Sequence, residues 1–309
     1  MKNNKKVFLA GHNGLVGRSI LNALLLKKIK TITASRSQLD LRDQKKVTNF
    51  LKSHKPNSVI IAAARVGGIK ANNTFRSEFI YDNLMIQTNL IHASYLAGVK
   101  NLIFLGSSCV YPKNCKQPIV EKDLLSGFLE KTNEPYAVAK IAGIKMCENY
   151  AKQYKLNYKS LMPCNSFGEN DNYDLETSHF LPALIKKVAL AKKNNIKKIE
   201  LWGNGSALRE VIHSDEIANA CLFFLYKKTK SNMINVGSGY EKTIKEYLKI
   251  IMRAANYKCR ITYRNKNLKG TPRKILNSSI ANKYGWKLKS STKDKIVEIY
   301  NSFEKRLIF

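Results

Sequence analysis

The stretch KVFLAGHNGLVGRSI, Lys6 to Ile20, decides the fold. An apolar run ends at Gly11, Gly14 and Gly17 follow at intervals of three, and GRSILNALLLKK, Gly17 to Lys28, carries its apolar residues at helical spacing. A strand that turns through glycines into an amphipathic helix is the opening unit of a dinucleotide-binding fold. The glycines permit the tight turn, the close approach of backbone to a pyrophosphate and the packing of helix on strand, while the helix N-terminus favours an anion. A glycine triplet alone is weak evidence, and its position between strand and helix supplies the weight.

Outward from this unit the alternation continues. TITASR (Thr31–Arg36), SVIIAAA (Ser58–Ala64), NLIFLGSS (Asn101–Ser108) and YKSLMP (Tyr158–Pro163) read as strands buried on both faces, with EFIYDNLMIQTNLIHASYLAG (Glu78–Gly98) as an intervening helix. The expected class is α/β, a doubly wound parallel Rossmann sheet whose crevice lies at the carboxyl ends of the strands. After Pro163 the pattern loosens into a polar loop, GENDNYDLETSH, a helix, FLPALIKKVALAKK, and a strand, KIELWG (Lys198–Gly203). The helix SDEIANACLFFLYKK and the strand MINVG (Met233–Gly237) return to the first unit. This reading places a cofactor-binding domain at 1–165 and 212–237 and a smaller α/β substrate domain at 166–211 and 238–309.

Composition narrows the class. The chain has 309 residues, 44% hydrophobic, enough for a large core. The apolar run before Gly11 is too short for a signal peptide and no later run approaches a membrane span, so a cytoplasmic protein without membrane contact is expected. Six cysteines form no CxxC pair and no His/Cys cluster at ligand spacing, which predicts free thiols and no metal. The 54 Lys and Arg against 22 Asp and Glu give a net charge of +32. Such a balance permits nucleic-acid binding, but the lysines are scattered rather than gathered into a tail or module. A solvated surface that attracts phosphate-bearing ligands is the expected role, with nucleic-acid binding a remote alternative.

Two further signals bear on chemistry. The second strand ends at Arg36, where an acidic residue would favour NAD and an arginine can pair with a 2′-phosphate, so NADP(H) is the expected cofactor. Asp40 is expected on the adenine side or as a cap for the following turn. In NEPYAVAKIAGIK, Tyr136 and Lys140 stand four apart on one helix face, where the ammonium would favour the phenolate. LGSSCVYP (Leu105–Pro112), read alone, is a turn with a packed thiol; with the tyrosine and lysine, Ser107 becomes the hydroxyl partner of a Ser-Tyr-Lys set.

This set resembles the short-chain dehydrogenase/reductase superfamily in its extended, sugar-nucleotide form. AAARVGGIKANN (Ala62–Asn73), FIYDNLMIQTNLIHA, GSSCVYPK, NEPYAVAKIAGIK and GTPRK (Gly270–Lys274) are similar to the GDP-L-fucose synthase family. The resemblance implies 3,5-epimerisation of GDP-4-keto-6-deoxy-D-mannose followed by NADPH-dependent reduction at C4. It makes Tyr136 the acid, Lys140 its tuner and ribose holder, Ser107 the oxygen polariser, Cys109 the base and His179 the opposing acid. Cofactor contacts implied are Gly11, Gly14, Leu15, Val16, Gly17, Arg36, Asp40, Leu41, Ala63, Leu105, Gly106, Lys140, Pro163, Asn165 and His179. Substrate contacts implied are Ser108, Asn165, Lys187, Trp202, Arg209 and Asn277. A homodimer through the two long helices of the first domain is also implied. The chain departs from the family at Asn13 and Lys187, where arginines are usual, at Phe167 for tyrosine and at Asn277 for an acid. A reductase acting on another GDP-linked 4-keto sugar, such as a heptose, is the alternative.

Overall fold

The computed structural model describes residues 5–264 and 271–308; Gly270 of the GTPRK stretch lies outside them. The chain runs β1 (Lys6–Ala10), α1 (Leu15–Leu26), β2 (Lys30–Ile32), α2 (Gln44–His54), β3 (Ser58–Ile61), α3 (Ile69–Thr74), α4 (Arg76–Leu96), β4 (Asn101–Leu105), α5 (Glu134–Tyr154) and β5 (Asn157–Pro163). It continues through β6 (Asn165–Phe167), α6 (Phe180–Lys193), β7 (Lys198–Trp202), β8 (Leu208–His213), α7 (Ser214–Phe224), β9 (Met233–Val236), β10 (Glu241–Thr243), α8 (Ile244–Ala254), β11 (Arg260–Arg264), β12 (Arg273–Lys274), α9 (Ser279–Lys283) and α10 (Thr292–Ile308).

Six strands form one parallel sheet in the order β2-β1-β3-β4-β5-β9. This is the doubly wound sheet expected from the alternation of apolar runs, and its central strands are buried throughout, as at Val59, Ile60, Ile103 and Phe104. The order reverses between β1 and β3, so the carboxyl ends of β1, β3, β4 and β5 open on one crevice. The remaining strands are short: β10-β8-β12 with β6 beside β8, and a β7-β11 pair.

Two apolar cores result, one around the parallel sheet and one among α6, α8, α10 and the small strands. Leu276, Ala281 and Trp286, in a segment that the sequence reading places with the smaller unit, are buried in the larger core. α4 also departs from simple amphipathicity: Asp82, Asn83, Gln87 and Asn89 are buried along it. Asp82, Asn83 and Asn89 bond neighbouring loops, whereas Gln87 donates to the Ala139 carbonyl of α5. Asn83 accepts from the Arg65 amide at 2.9 Å and donates to the Arg65 carbonyl at 3.0 Å, and Asn89 donates to the Leu41 carbonyl at 3.0 Å. A polar stripe inside the fold thus fastens the loops that follow β2 and β3.

Candidate active site

The loop after β1 separates the three glycines by what each must accommodate. Gly11 has φ +87, and a Cβ there would lie 2.5 Å from the Ala63 amide nitrogen. A Cβ on Gly17 would lie 1.9 Å from the Gly11 carbonyl oxygen, so α1 packs on the turn only without one. Gly14 is different: it caps α1 in an extended conformation, and a Cβ there would meet no protein atom closer than Gly11 O at 3.6 Å. The space beside Gly14 is open, at the positive end of a 12-residue helix that carries no acid in its first turn. This cradle fits a pyrophosphate, with Leu15 and Val16 opening the helix behind it.

Arg36 is exposed on the turn after β2, free to meet a phosphate. Asp40 serves as a cap: its carboxylate accepts from the Arg42 amide at 3.0 Å and pairs with the Arg42 guanidinium at 2.7 Å. These bonds hold its pKa down at about 2. Arg42 and Arg65 both reach Asp82, at 3.1 and 2.9 Å, which ties Leu41 and the loop after β3 to α4.

The candidate catalytic set forms where β4 meets α5. A Cβ on Gly143 would stand 2.6 Å from the Phe104 ring, so the glycine lets α5 lie directly on β4. That closeness carries Tyr136 and Lys140 over the end of the strand. Ser107 ends the extended chain and caps a short 3-10 turn, Ser108–Val110, accepting from the Cys109 amide at 3.2 Å. Ser108 is buried in this turn, and the Gly106 amide donates to Leu161 O at 2.9 Å, keeping the turn against β5, which ends at Pro163. The Ser107 hydroxyl hydrogen-bonds the Tyr136 phenol, and the Cys109 thiol lies within electrostatic reach of the same phenol.

Burial bears on the protonation of two of these groups. Burial, and then the neighbouring thiol, push the Tyr136 phenol above its ordinary pKa, outweighing the Ser107 bond that lowers it. Lys140 does not offset this, because burial lowers its own pKa to about 7. Its Nζ donates to Leu105 O at 2.8 Å and lies 4.6 Å from the Phe104 ring centroid but 5.8 Å from that of Tyr136. Tyr136 is therefore a protonated acid at neutral pH rather than a phenolate. His179 is likewise shifted: surrounding protein lowers its pKa below 6.5 although the residue remains open to solvent, the combination found at a cleft wall. The neutral imidazole, not the imidazolium, is its resting form at neutral pH.

His179 caps α6 at the end of the polar loop. Asp174 shapes that loop by accepting from the amides of Glu176 and Thr177 and from the Thr177 hydroxyl, and the Gly68 amide donates to Thr177 O at 3.0 Å. The loop is thus anchored to the turn before α3. No direct contact joins His179 to Cys109 among the described residues.

In the smaller unit Trp202 ends β7 with 59% of its surface exposed, whereas the other tryptophan, Trp286, is in the core. Lys187 on α6 is half-buried and donates to Glu200 O at 2.9 Å. Arg209, half-buried on β8, donates to Leu208 O at 2.8 Å; burial lowers its pKa and Cys109, within electrostatic reach, opposes that shift. Asn165 donates to Glu210 O at 2.9 Å, linking β6 to β8, and Phe167 is a core residue with its ring edge-on to His213. Asn277 is used locally: its Oδ1 accepts from the Ser279 amide at 2.9 Å at the start of α9, so a nucleotide contact through that oxygen would compete with the cap. Sequence reasoning missed the buried polar residues of α4 and the strand β12, whose two residues carry no periodicity.

Residues 7–237 match the model of the NAD dependent epimerase/dehydratase family. The chain is 45% identical to a putative GDP-L-fucose synthase 2 of Arabidopsis thaliana, covering 100% of this chain and 94% of that protein. It is 40% identical to GDP-L-fucose synthase of Escherichia coli, over 97% and 96% of the two chains. Among solved structures, a GDP-mannoheptose C4 reductase from Campylobacter jejuni with NADP bound superposes with a TM-score of 0.89 at 34% identity, covering 98% of this chain and 99% of that one. With its glycine cradle and its Ser-Tyr-Lys set at the carboxyl ends of a parallel sheet, the chain belongs to the NAD-dependent epimerase/dehydratase family.

Proposed function

We propose that the protein converts GDP-4-keto-6-deoxy-D-mannose to GDP-L-fucose by epimerising C3 and C5 and then reducing C4 with NADPH. One observation carries this reading: a thiol, Cys109, lies within electrostatic reach of the Tyr136 phenol that Ser107 holds. A simple ketoreductase needs the phenol and the hydroxyl; a base beside them serves a second reaction. A 4-ketone acidifies the hydrogens on C3 and C5, and inversion needs a proton removed from one face and returned to the other. Cys109 removes it. His179 returns it, and a low pKa makes the imidazolium a stronger acid although scarcer; the negative charge of an enolate and a diphosphate raises its protonated fraction when substrate is present.

The Gly14 cradle and Arg36 would hold NADPH, which would supply hydride to C4. Tyr136, kept protonated because the surrounding protein raises its pKa, gives its proton to O4 as the charge develops there, with Ser107 donating to the same oxygen. Lys140 is placed beside the carboxyl end of β4 to bond a ribose. Lys187 and Arg209 offer charge to the diphosphate, and the exposed Trp202 offers a face for stacking.

The test is incubation with GDP-4-keto-6-deoxy-D-mannose and NADPH in D2O, followed by the sugar's configuration and deuterium content. GDP-L-fucose labelled at C3 and C5 is the expected product. A reduced, unlabelled and uninverted sugar would remove the epimerase role. The similarity to a GDP-mannoheptose C4 reductase supports a second reading, reduction of a GDP-linked keto-heptose; turnover of that substrate in preference to the 6-deoxy sugar would favour it.

A further inference from the structure

The small sheet sorts its charges by face. β10 lies antiparallel to β8 with Lys242 opposite Arg209, and β12 lies parallel to β8 with Lys274 opposite Arg209. Paired residues on adjacent strands project to the same side, with Cβ atoms about 5 Å apart. Lys242, Arg209 and Lys274 therefore leave the sheet as one row of cations. Like charges placed directly opposite destabilise a sheet unless something neutralises them.

The acids of this sheet do not. Glu241 and Glu210 form the adjacent row, on the opposite face. Glu241 pairs with Arg273 at 2.9 Å, and buried Glu210 accepts from the amides of Gly239 and Leu276 at 2.7 and 2.9 Å. Among the described residues neither Arg209 nor Lys274 has an ion-pair partner. Lys242 is better provided for: its Nζ lies 5.5 Å from the Tyr240 ring centroid, and its charge acts on Glu246.

The row also opens toward the segment that carries Cys109 and Cys115. Arg209 is within electrostatic reach of Cys109, and Lys274 of Cys115. The segment that follows the catalytic turn is stitched to the end of β12, with Ile275 N donating to Gln117 Oε1 at 3.0 Å and Ile119 N donating to Ile275 O at 2.8 Å.

We propose that Lys274 is a substrate-binding residue that shares the diphosphate of the nucleotide sugar with Arg209, while Lys242, turned to the Tyr240 ring, does not. This rests on the nucleotide-diphosphate-sugar reading given above and adds to it the partner that the unneutralised row requires. A phosphate oxygen bridging the two side chains removes their repulsion and leaves the guanidinium free to bond a second oxygen.

The test is calorimetric titration of the whole protein with GDP, and in parallel with UDP, for wild type and for the Lys274→Gln, Lys242→Gln and Lys274→Arg variants, with NADPH titrated separately. Lys274→Gln is expected to weaken GDP at least tenfold and to flatten its salt dependence while NADPH is unchanged. Lys242→Gln removes the same net charge and is expected to stay within twofold, as is Lys274→Arg. Equal effects of the two glutamine variants, or none, would overturn the assignment and leave only a diffuse positive field. If wild type binds UDP and not GDP, the function proposed above fails while the Lys274 comparison is read with UDP. Binding of neither overturns both.

Discussion

Gly14 and Gly17 look equivalent in the sequence and should behave oppositely on mutation. Gly17→Ala puts a Cβ 1.9 Å from the Gly11 carbonyl oxygen, and since the nearest tolerable separation is above 3.0 Å, helix and turn must part by more than roughly 1 Å. Overpacking of backbone on backbone costs on the order of 1–3 kcal/mol, and more where neither side is free to move. Gly14→Ala meets nothing closer than 3.6 Å and keeps an allowed backbone conformation, φ −78 and ψ 168. Loss of the glycine cap costs a few tenths to about 1 kcal/mol, and the reduced freedom of the unfolded chain offsets about 0.4–1 kcal/mol of that. The net change in stability is therefore within about 0.5 kcal/mol of zero. Cofactor binding should order the other way: the alanine methyl fills the space proposed for the pyrophosphate and should weaken NADPH at least tenfold, about 1.4 kcal/mol. Urea unfolding and a fluorescence titration with NADPH measure the two effects. If Gly14→Ala loses as much stability as Gly17→Ala, the cradle is a packing feature; if it keeps its NADPH affinity, the cofactor does not use it.

Cys109→Ser should bind NADPH normally but fail to exchange hydrogen at C3 and C5, and Tyr136→Phe should exchange without reducing; NMR of the sugar in D2O with and without NADPH separates them, and loss of the same step in both would undo the division of roles. Burial depresses the folded pKa of Lys140 to about 7, so its charge is present below that pH and lost above it. The single-turnover rate of reduction should fall as pH rises through about 7, and a flat profile would show that an uncharged amine suffices. Lys159 is buried in β5 with Asn157 as its hydrogen-bond partner, and burial lowers its pKa from 10.5 to about 8. That difference corresponds to on the order of 3 kcal/mol held against folding below about pH 8, where folded and unfolded states both carry the charge. Between about 8 and 10.5 the unfolded chain binds more protons, so stability rises with pH. Lys159→Met should be more stable than wild type at pH 7 by a margin that shrinks toward pH 10, as denaturation midpoints at the two pH values would show.

The residues of the candidate site were largely legible in the chain. LGSSCVYP and NEPYAVAKIAGIK carry Ser107, Cys109, Tyr136 and Lys140, and Gly143, by seating α5 on β4, brings Tyr136 within electrostatic reach of Cys109. The protonation states were not legible, since they depend on burial. Spacing puts an ammonium near a phenol, yet Lys140 turns to Leu105 O and loses much of its own basicity. Asp40 is a similar case: its sequence position fits adenine or a cap, and only the structure shows the bonds from Arg42 that make it a cap.

Local sequence determined the doubly wound sheet, because a strand buried on both faces needs a continuous apolar run and a glycine turn into a helix needs residues without side chains. Those requirements act over a few neighbours and leave a readable trace. What only the tertiary structure decided is everything set by strand partners and enclosure. Two-residue β12 has no periodicity, and register alone puts Lys274 beside Arg209 across 65 positions of chain. The polar stripe of α4 looks like an exposed face until the loops it bonds are seen. The acid strength of Tyr136, Lys140 and His179 follows from how much protein surrounds each one, a property that belongs to the fold and to no single stretch of residues.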